Sequence, residues 1–261
     1  MLKKPYYLCF VLMAFAFPVL AQTAEEKGLA IVEEADKRDT GWVDSTANMR
    51  MILRNKQGQE SERILRIKSR EVEGDGDQSL TIFDTPRDVK GTAFLSYTHA
   101  LTPDDQWLYL PALKRVKRIS SSNKSGPFMG SEFSFEDLTS FEVEKYTYKW
   151  LRDESLNGVD CFVLEYHPAY KHSGYTRQVA WVNKKTYQAE KVEFYDRKDS
   201  LLKTLSYKDY KLYLDTFWRP GAMHMVNHQT GKETDIFMEN YSFKNGYTDR
   251  DFDQNSLKEA R

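Results

Sequence analysis

From Ala47 to Tyr241 the sequence alternates apolar and polar residues with a period of two, in short runs broken by turn residues, and few folds tolerate that pattern. Met49, Met51 and Leu53 alternate with Asn48, Arg50 and Arg54. Successive side chains of a strand point to opposite faces, so such a run is a strand with one dry face. The pattern recurs at residues 63–69, 79–83, 93–97, 106–110 and 115–119, and again at 146–150, 161–167, 177–182, 191–195, 202–207, 223–227 and 234–241. Gln57-Gly58, Asn157-Gly158, Lys198-Asp199 and Thr230-Gly231 supply turns, the Asn-Gly pair being a strong tight-turn signal. About a dozen short strands with no helical period between them predict an antiparallel meander that curls into a barrel or part of one, and disfavour a βαβ nucleotide fold.

One segment departs from the period of two. Residues 24–37 set Leu29, Ile31, Val32 and Ala35 on one stripe among Glu and Lys, and Asp39-Thr40-Gly41 ends the helix that this spacing predicts. The fold class is therefore mainly β with a minor helical part (α+β). Aromatic residues make up 14% of the chain and are spread over most strands, so the barrel wall is aromatic. About 12 strands enclose more interior than side chains readily fill. The interior is thus either a packed core or an apolar cavity, and the amphipathic helix is placed to plug it. The polar tail, residues 249–261, is expected to hold at most a short helix at 255–260.

The N-terminus predicts export. Lys3 and Lys4 precede an apolar run at residues 6–20, and Val19-Leu20-Ala21 offers a cleavage site for a signal peptidase. A run of about 15 residues falls short of the roughly 20 that cross a bilayer as a helix. Residues 1–21 are accordingly expected to be a cleaved signal peptide, and residues 22–261 a single periplasmic domain. Losing Lys3 and Lys4 takes the formal charge from -1 to about -3. Cys9 leaves with the leader, so Cys161 stands alone and no intramolecular disulfide can form. Its run, Cys161-Phe162-Val163-Leu164, predicts a buried, inert thiol.

Motifs for chemistry are missing. His224 and His228 have the i, i+4 spacing of a helical zinc pair, but they straddle the end of a β-patterned stretch and no Glu follows His224. The sequence has no Gly-x-Ser-x-Gly elbow, phosphate-binding glycine loop or paired-cysteine site. Asp137 and Glu165 are carboxylates that only the fold could bring together for acid and base work. No catalytic residue, metal or cofactor is assigned, and a non-enzymatic role is expected.

The stretch from Asp105 to Leu138 is distinctive. An aromatic strand ends at Pro111, and Lys114, Arg115, Lys117 and Arg118 then put four cations into a second short strand. Beyond a small-residue loop at 120–126, Phe128, Met129, Phe133, Phe135 and Phe141 alternate with Glu132, Glu136 and Asp137. A basic run in a near-neutral chain is a solvated face or a functional surface. Export and the overall acidic balance argue against nucleic acid, leaving an anionic lipid headgroup or an acidic face of a membrane protein as the electrostatic partner.

Phe83, Pro86, Asp88, Gly91, Thr92 and Leu95, then Trp107-Leu108-Tyr109-Leu110-Pro111-Ala112-Leu113-Lys114-Arg115-Val116, then Gly130-Ser131-Glu132-Phe133-Ser134-Phe135-Glu136-Asp137 form a long ordered pattern. It resembles the outer membrane lipoprotein-sorting protein family, related to the periplasmic lipoprotein localisation carriers (LolA/LolB-like), over roughly residues 47–241. The resemblance implies a large antiparallel incomplete β-barrel, here of about 11 to 12 strands, whose helices or loops form a lid over an apolar cavity. It also implies a periplasmic carrier of lipoprotein acyl chains or another envelope lipid, associated with an inner-membrane transporter of the resistance-nodulation-division type. The Trp-Leu-Tyr-Leu-Pro and Gly-Ser-Glu-Phe segments depart from the classical carriers and leave the cargo open. Within that frame the candidate cavity wall is Met49, Met51, Leu53, Leu65, Ile67, Trp107 and Tyr109. The lid candidates are Phe128, Met129, Phe133 and Phe135, and Lys114, Arg115, Lys117 and Arg118 are the docking rim. A monomer is expected. Two other readings stay open: a ligand-free accessory module of an envelope transporter, and a hydrolase of an envelope lipid.

Overall fold

The computed structural model describes residues 22–259, so the expected leader lies outside the described residues. Helix α1 (Ala24–Asp39) leads into β1 (Asp44–Arg54), β2 (Glu60–Arg70), β3 (Gln78–Thr85), β4 (Ala93–Tyr97), β5 (Asp105–Leu110) and β6 (Arg115–Ile119). A long segment with short 3-10 turns then precedes β7 (Tyr146–Leu156), β8 (Val159–Pro168), β9 (Arg177–Asn183), β10 (Ala189–Tyr195) and β11 (Leu201–Lys208). The hairpin β12 (Lys211–Tyr213) and β13 (Phe217–Arg219) follows, then β14 (Ala222–Asn227), β15 (Glu233–Phe243) and the short α2 (Ser256–Glu259). Among the described residues no helix is long and apolar enough to cross a membrane.

One antiparallel sheet of 13 strands holds all but the hairpin, in the order β6-β5-β4-β3-β2-β1-β15-β14-β11-β10-β9-β8-β7. The first six strands march outward from β1, the later ones return toward it, and β1 pairs with β15 to join the halves. The strands expected from alternation are the strands of this sheet. The hairpin β12–β13 was not expected, because three-residue strands are too short to display a period.

The sheet stays open. Its edges are β6 and β7, consecutive in sequence yet at opposite ends of the order, so residues 120–145 must cross the open side to connect them. A buried ion cluster ties both ends of this crossing to one anchor. The Lys124 ammonium sits 3.3 Å and the Lys145 ammonium 2.5 Å from the two carboxylate oxygens of Asp104, just before β5. Removing one partner of such a cluster would leave a buried charge uncompensated.

Alternation sorts side chains onto two faces. The inner face, toward α1 and the crossing segment, carries the main core: Met49, Met51, Leu65, Phe83, Phe94, Leu108, Leu164, Val192, Leu205 and Met225 among others. On the outer face Leu80, Ile82, Ala93 and Leu95 form a second cluster under the C-terminal tail, which contributes the fully buried Phe252 and Leu257. Two apolar anchors are enough to seat that otherwise polar tail. A third, outer cluster gathers Cys161, Val163, Val179 and Trp181, and there the Cys161 thiol is fully buried.

Helix α1 opens with a reciprocal cap: the Glu26 amide donates to the Thr23 hydroxyl at 3.1 Å, and the Thr23 amide to the Glu26 carboxylate at 2.8 Å. Gly28 lets the helix approach edge strand β7, since a Cβ there would lie 2.8 Å from the Trp150 backbone nitrogen. That approach buries Ile31 and Val32 against the inner face.

Candidate functional site

The two halves of the inner face are filled differently. Over β1–β6 the crossing segment supplies the filling: Phe128 is 1% and Phe133 3% exposed. The Phe128 ring meets those of Phe83, Phe94 and Phe135 at centroid distances of 5.7, 5.3 and 5.5 Å. The turn that points these rings inward uses left-handed backbone at Met129 and Gly130 (φ 50° and 81°), and the Met129 carbonyl accepts from the Arg63 guanidinium. Over β8–β11 none of the described residues forms such a plug, and a cavity of about 1180 Å³ remains. It is somewhat larger than the roughly 300–1,000 Å³ usual for small-ligand sites.

Register explains the cavity wall. Leu164 pairs with Ala180, Ala180 with Val192, and Val192 with Leu205, so four apolar side chains form one row across β8, β9, β10 and β11. A second row runs Tyr166, Gln178, Phe194 and Lys203. Helix α1 closes the space with Ile31, Val32 and Ala35, and the hairpin end adds Tyr210, Trp218 and Arg219. At its inner end Lys203, 3% exposed, bridges to Asp137 at 2.6 Å, and Asp137 also accepts from the Tyr175 hydroxyl at 2.7 Å. Glu136 accepts from the Tyr170 hydroxyl at 2.5 Å and the Gly174 amide at 2.8 Å. These bonds staple the crossing segment to the sheet.

Carboxylates dominate the mouth: Asp36 and Asp39 at the end of α1, Glu71 and Asp77 after β2, and Glu142 before β7. Burial, reinforced by Glu142, Glu71 and Asp39, pushes the Asp77 carboxyl up to about 7. Burial first and neighbouring acids second raise Glu142 and Asp36 as well. Inside, burial pushes the Tyr146 hydroxyl up to about 12 and raises those of Tyr166 and Tyr207. Such a site can hold an apolar chain along its wall and a polar group at its mouth.

The early-strand residues expected to line the cavity sit elsewhere. Met49, Met51 and Leu65 are buried in the filled half, Leu53 packs partly buried beside them, and Ile67 borders a separate pocket of about 290 Å³. Trp107 and Tyr109 point to the outer face, in the cluster covered by the tail, because their parity on β5 is opposite to that of Leu108 and Leu110. Of the lid candidates, Phe128, Met129, Phe133 and Phe135 form the plug, while the following residues 139–142 reach the cavity. Arg115, Lys117 and Arg118 are exposed on edge strand β6 and Lys114 is exposed in the turn just before it, with Arg118 paired to Asp105. The residues that do line the cavity obey the same alternation as every other strand, so only the cross-strand register and the path of residues 120–145 single them out.

No acid and base pair emerges from the earlier carboxylates. Asp137 is held by Lys203 and Tyr175, and Glu165 by His167 at 3.0 Å and Arg177 at 3.4 Å. His224 contacts Asp235 at 2.5 Å and His228 the Thr204 hydroxyl at 2.7 Å.

An open antiparallel sheet with a helix over one end and a cavity beneath it defines a protein of the LolA-like fold. The chain belongs to the outer membrane lipoprotein-sorting protein family. It is 60% identical to a domain so described from Vibrio parahaemolyticus, over 90% of this chain and 99% of that one, with a TM-score of 0.88. A DUF1329 family protein from Desulfovibrio piger is 32% identical over 90% of this chain and 99% of that one, with a TM-score of 0.85. A LolA superfamily protein from Nitrosomonas europaea shares the fold at 21% identity and a TM-score of 0.71, over 90% of this chain and 100% of that one. A family model described as "Uncharacterized protein" matches residues 75–259. No curated protein matches the chain.

Proposed function

We propose that the protein is a periplasmic carrier that shelters an acyl chain of a lipoprotein or another envelope lipid between α1 and the β8–β11 wall. The observation that carries this reading is the unfilled, apolar-walled space of about 1180 Å³ in a sheet whose other half is tightly plugged. Each buried methylene contributes about 0.8 kcal/mol, so a long acyl chain represents on the order of 10 kcal/mol that a carrier must replace. The Leu164, Ala180, Val192 and Leu205 row offers such burial, and the relatives' description as lipoprotein-sorting proteins agrees with it. In this reading residues 1–21 are removed on export and residues 22–261 act as one unit.

The cations of β6 supply the docking rim. They lie on an exposed edge beside Leu113, which is 67% exposed, and suit an anionic headgroup or acidic protein face. Contact with an inner-membrane transporter of the resistance-nodulation-division type is carried by the family resemblance alone, and cross-linking from Lys117 in intact envelopes tests it. For cargo binding, Nile red should brighten on addition of the purified protein and be displaced by a neutral amphiphile such as dodecyl maltoside. An unchanged Nile red spectrum would overturn the carrier reading.

A further inference from the structure

Acids outnumber cations around the mouth of the cavity. Asp36, Asp39, Asp77 and Glu142 all border it, and its two guanidinium groups each hold a carboxylate already, although the buried Arg70 Nε has no hydrogen-bond partner among the described residues. Arg219 bonds Asp39 at 2.5 Å, and Arg70 bonds Asp249 and, at 2.9 Å, Gln78. Among the described residues, no cation forms an ion pair with Asp36, Asp77 or Glu142. Lys145 and Arg219 offset part of the charge on Glu142 and Asp39, and an anionic head would still meet the repulsion of the acids that outnumber them.

Two further observations point to what belongs in that place. Aromatic rings share the cavity with the carboxylates: Trp42, Phe141, Tyr146 and Tyr166 line it, with Phe141 and Tyr146 stacked at 5.5 Å and Phe141 5.9 Å from Tyr166. Aromatic rings joined to carboxylates are the surroundings that bind ammonium groups, through the negative ring face and direct charge pairing. In addition, Tyr166 is only 8% exposed, lines the cavity, and its hydroxyl has no hydrogen-bond partner among the described residues. The hydroxyl itself opens into the cavity, where a polar group of a ligand can engage it.

We propose that the cavity selects amphiphiles with a cationic, amine-type head, seating the apolar chain against Leu164, Ala180, Val192 and Leu205 and the head among Asp36, Asp77, Glu142 and the aromatic rings. This deepens the carrier reading and rests on it. Burial first and neighbouring acids second raise the three carboxyls, and a bound cation relieves the second of these.

The test is competition against Nile red on the purified mature protein, with three amphiphiles of equal chain length: dodecyltrimethylammonium, dodecanoate and dodecyl maltoside. The cation should displace the dye at a roughly tenfold lower concentration than dodecanoate at low salt, and the gap should narrow as salt rises. Asp77→Asn and, separately, the exposed Asp36→Asn should each shrink the cation-to-anion ratio, with melting curves verifying that both variants fold. Equal displacement by cation and anion, or a preference that survives both substitutions, overturns this inference while leaving the carrier intact. Failure of the neutral dodecyl maltoside to displace the dye overturns the carrier reading itself.

Discussion

Single residues at the mouth and in the plug carry measurable consequences. The Asp77 carboxyl is raised to about 7 from an ordinary 3.8, by burial first and by Glu142, Glu71 and Asp39 after it. The folded protein therefore keeps this proton up to about pH 7, while the unfolded chain releases it near 3.8. Between those values the folded state binds more protons, so this group's contribution to stability is greatest at low pH and falls as pH rises through the window. Asp77→Asn should raise the melting temperature by about 3–6 °C at pH 8, corresponding to about 1–2 kcal/mol, and by little near pH 4. A shift of equal size at both pH values would show that packing, not ionisation, governs the site. In the plug, Phe128→Ala removes a ring that is 1% exposed and packed against three others. Denaturant unfolding should register a loss of about 3–5 kcal/mol.

At the level of elements, helix α1 and edge strand β6 play separate parts. Gly28→Ala tests the helix: Ala favours a helix by up to about 1 kcal/mol over Gly, but its Cβ would fall 2.8 Å from the Trp150 backbone nitrogen. Strand backbone yields little, so the clash prevails and a net loss of about 1–3 kcal/mol is expected in thermal unfolding, with faster amide exchange in α1. For β6, Arg115→Glu with Arg118→Glu should weaken co-sedimentation with anionic vesicles while changing stability by about 0.5 kcal/mol or less, because both side chains are exposed. A large loss of stability, or association of the variant into oligomers, would assign the cations to guarding the open edge instead. These elements were legible in sequence to different degrees. The stripe of Ile31, Val32 and Ala35 marked α1, and Lys114 to Arg118 marked an exposed strand, because both signals are local. The hairpin β12–β13 left no local period to read, and nothing around Phe252 in the sequence pointed to the strand residues it covers.

For the whole molecule, alternation specified an antiparallel meander but not which side of it stays hollow. Met49, Met51 and Leu65 have the parity expected of an inner wall and do face inward, yet Phe128 and Phe133 fill the space in front of them. That outcome depends on β6 and β7 ending at opposite edges, a long-range fact that no window of sequence contains. Trp107 and Tyr109 illustrate the complementary problem: their period of two is clear, but the face it presents is set by a tail about 140 residues later in the chain. The central claim is that the space over β8–β11 holds an apolar chain. Native mass spectrometry of protein isolated from its own envelope, beside an Ala35→Trp variant that fills the space from α1, tests it most directly. One bound amphiphile per chain is expected in the wild type, and its loss in the folded variant. Wild-type protein without a bound amphiphile, or equal occupancy in both proteins, would contradict it.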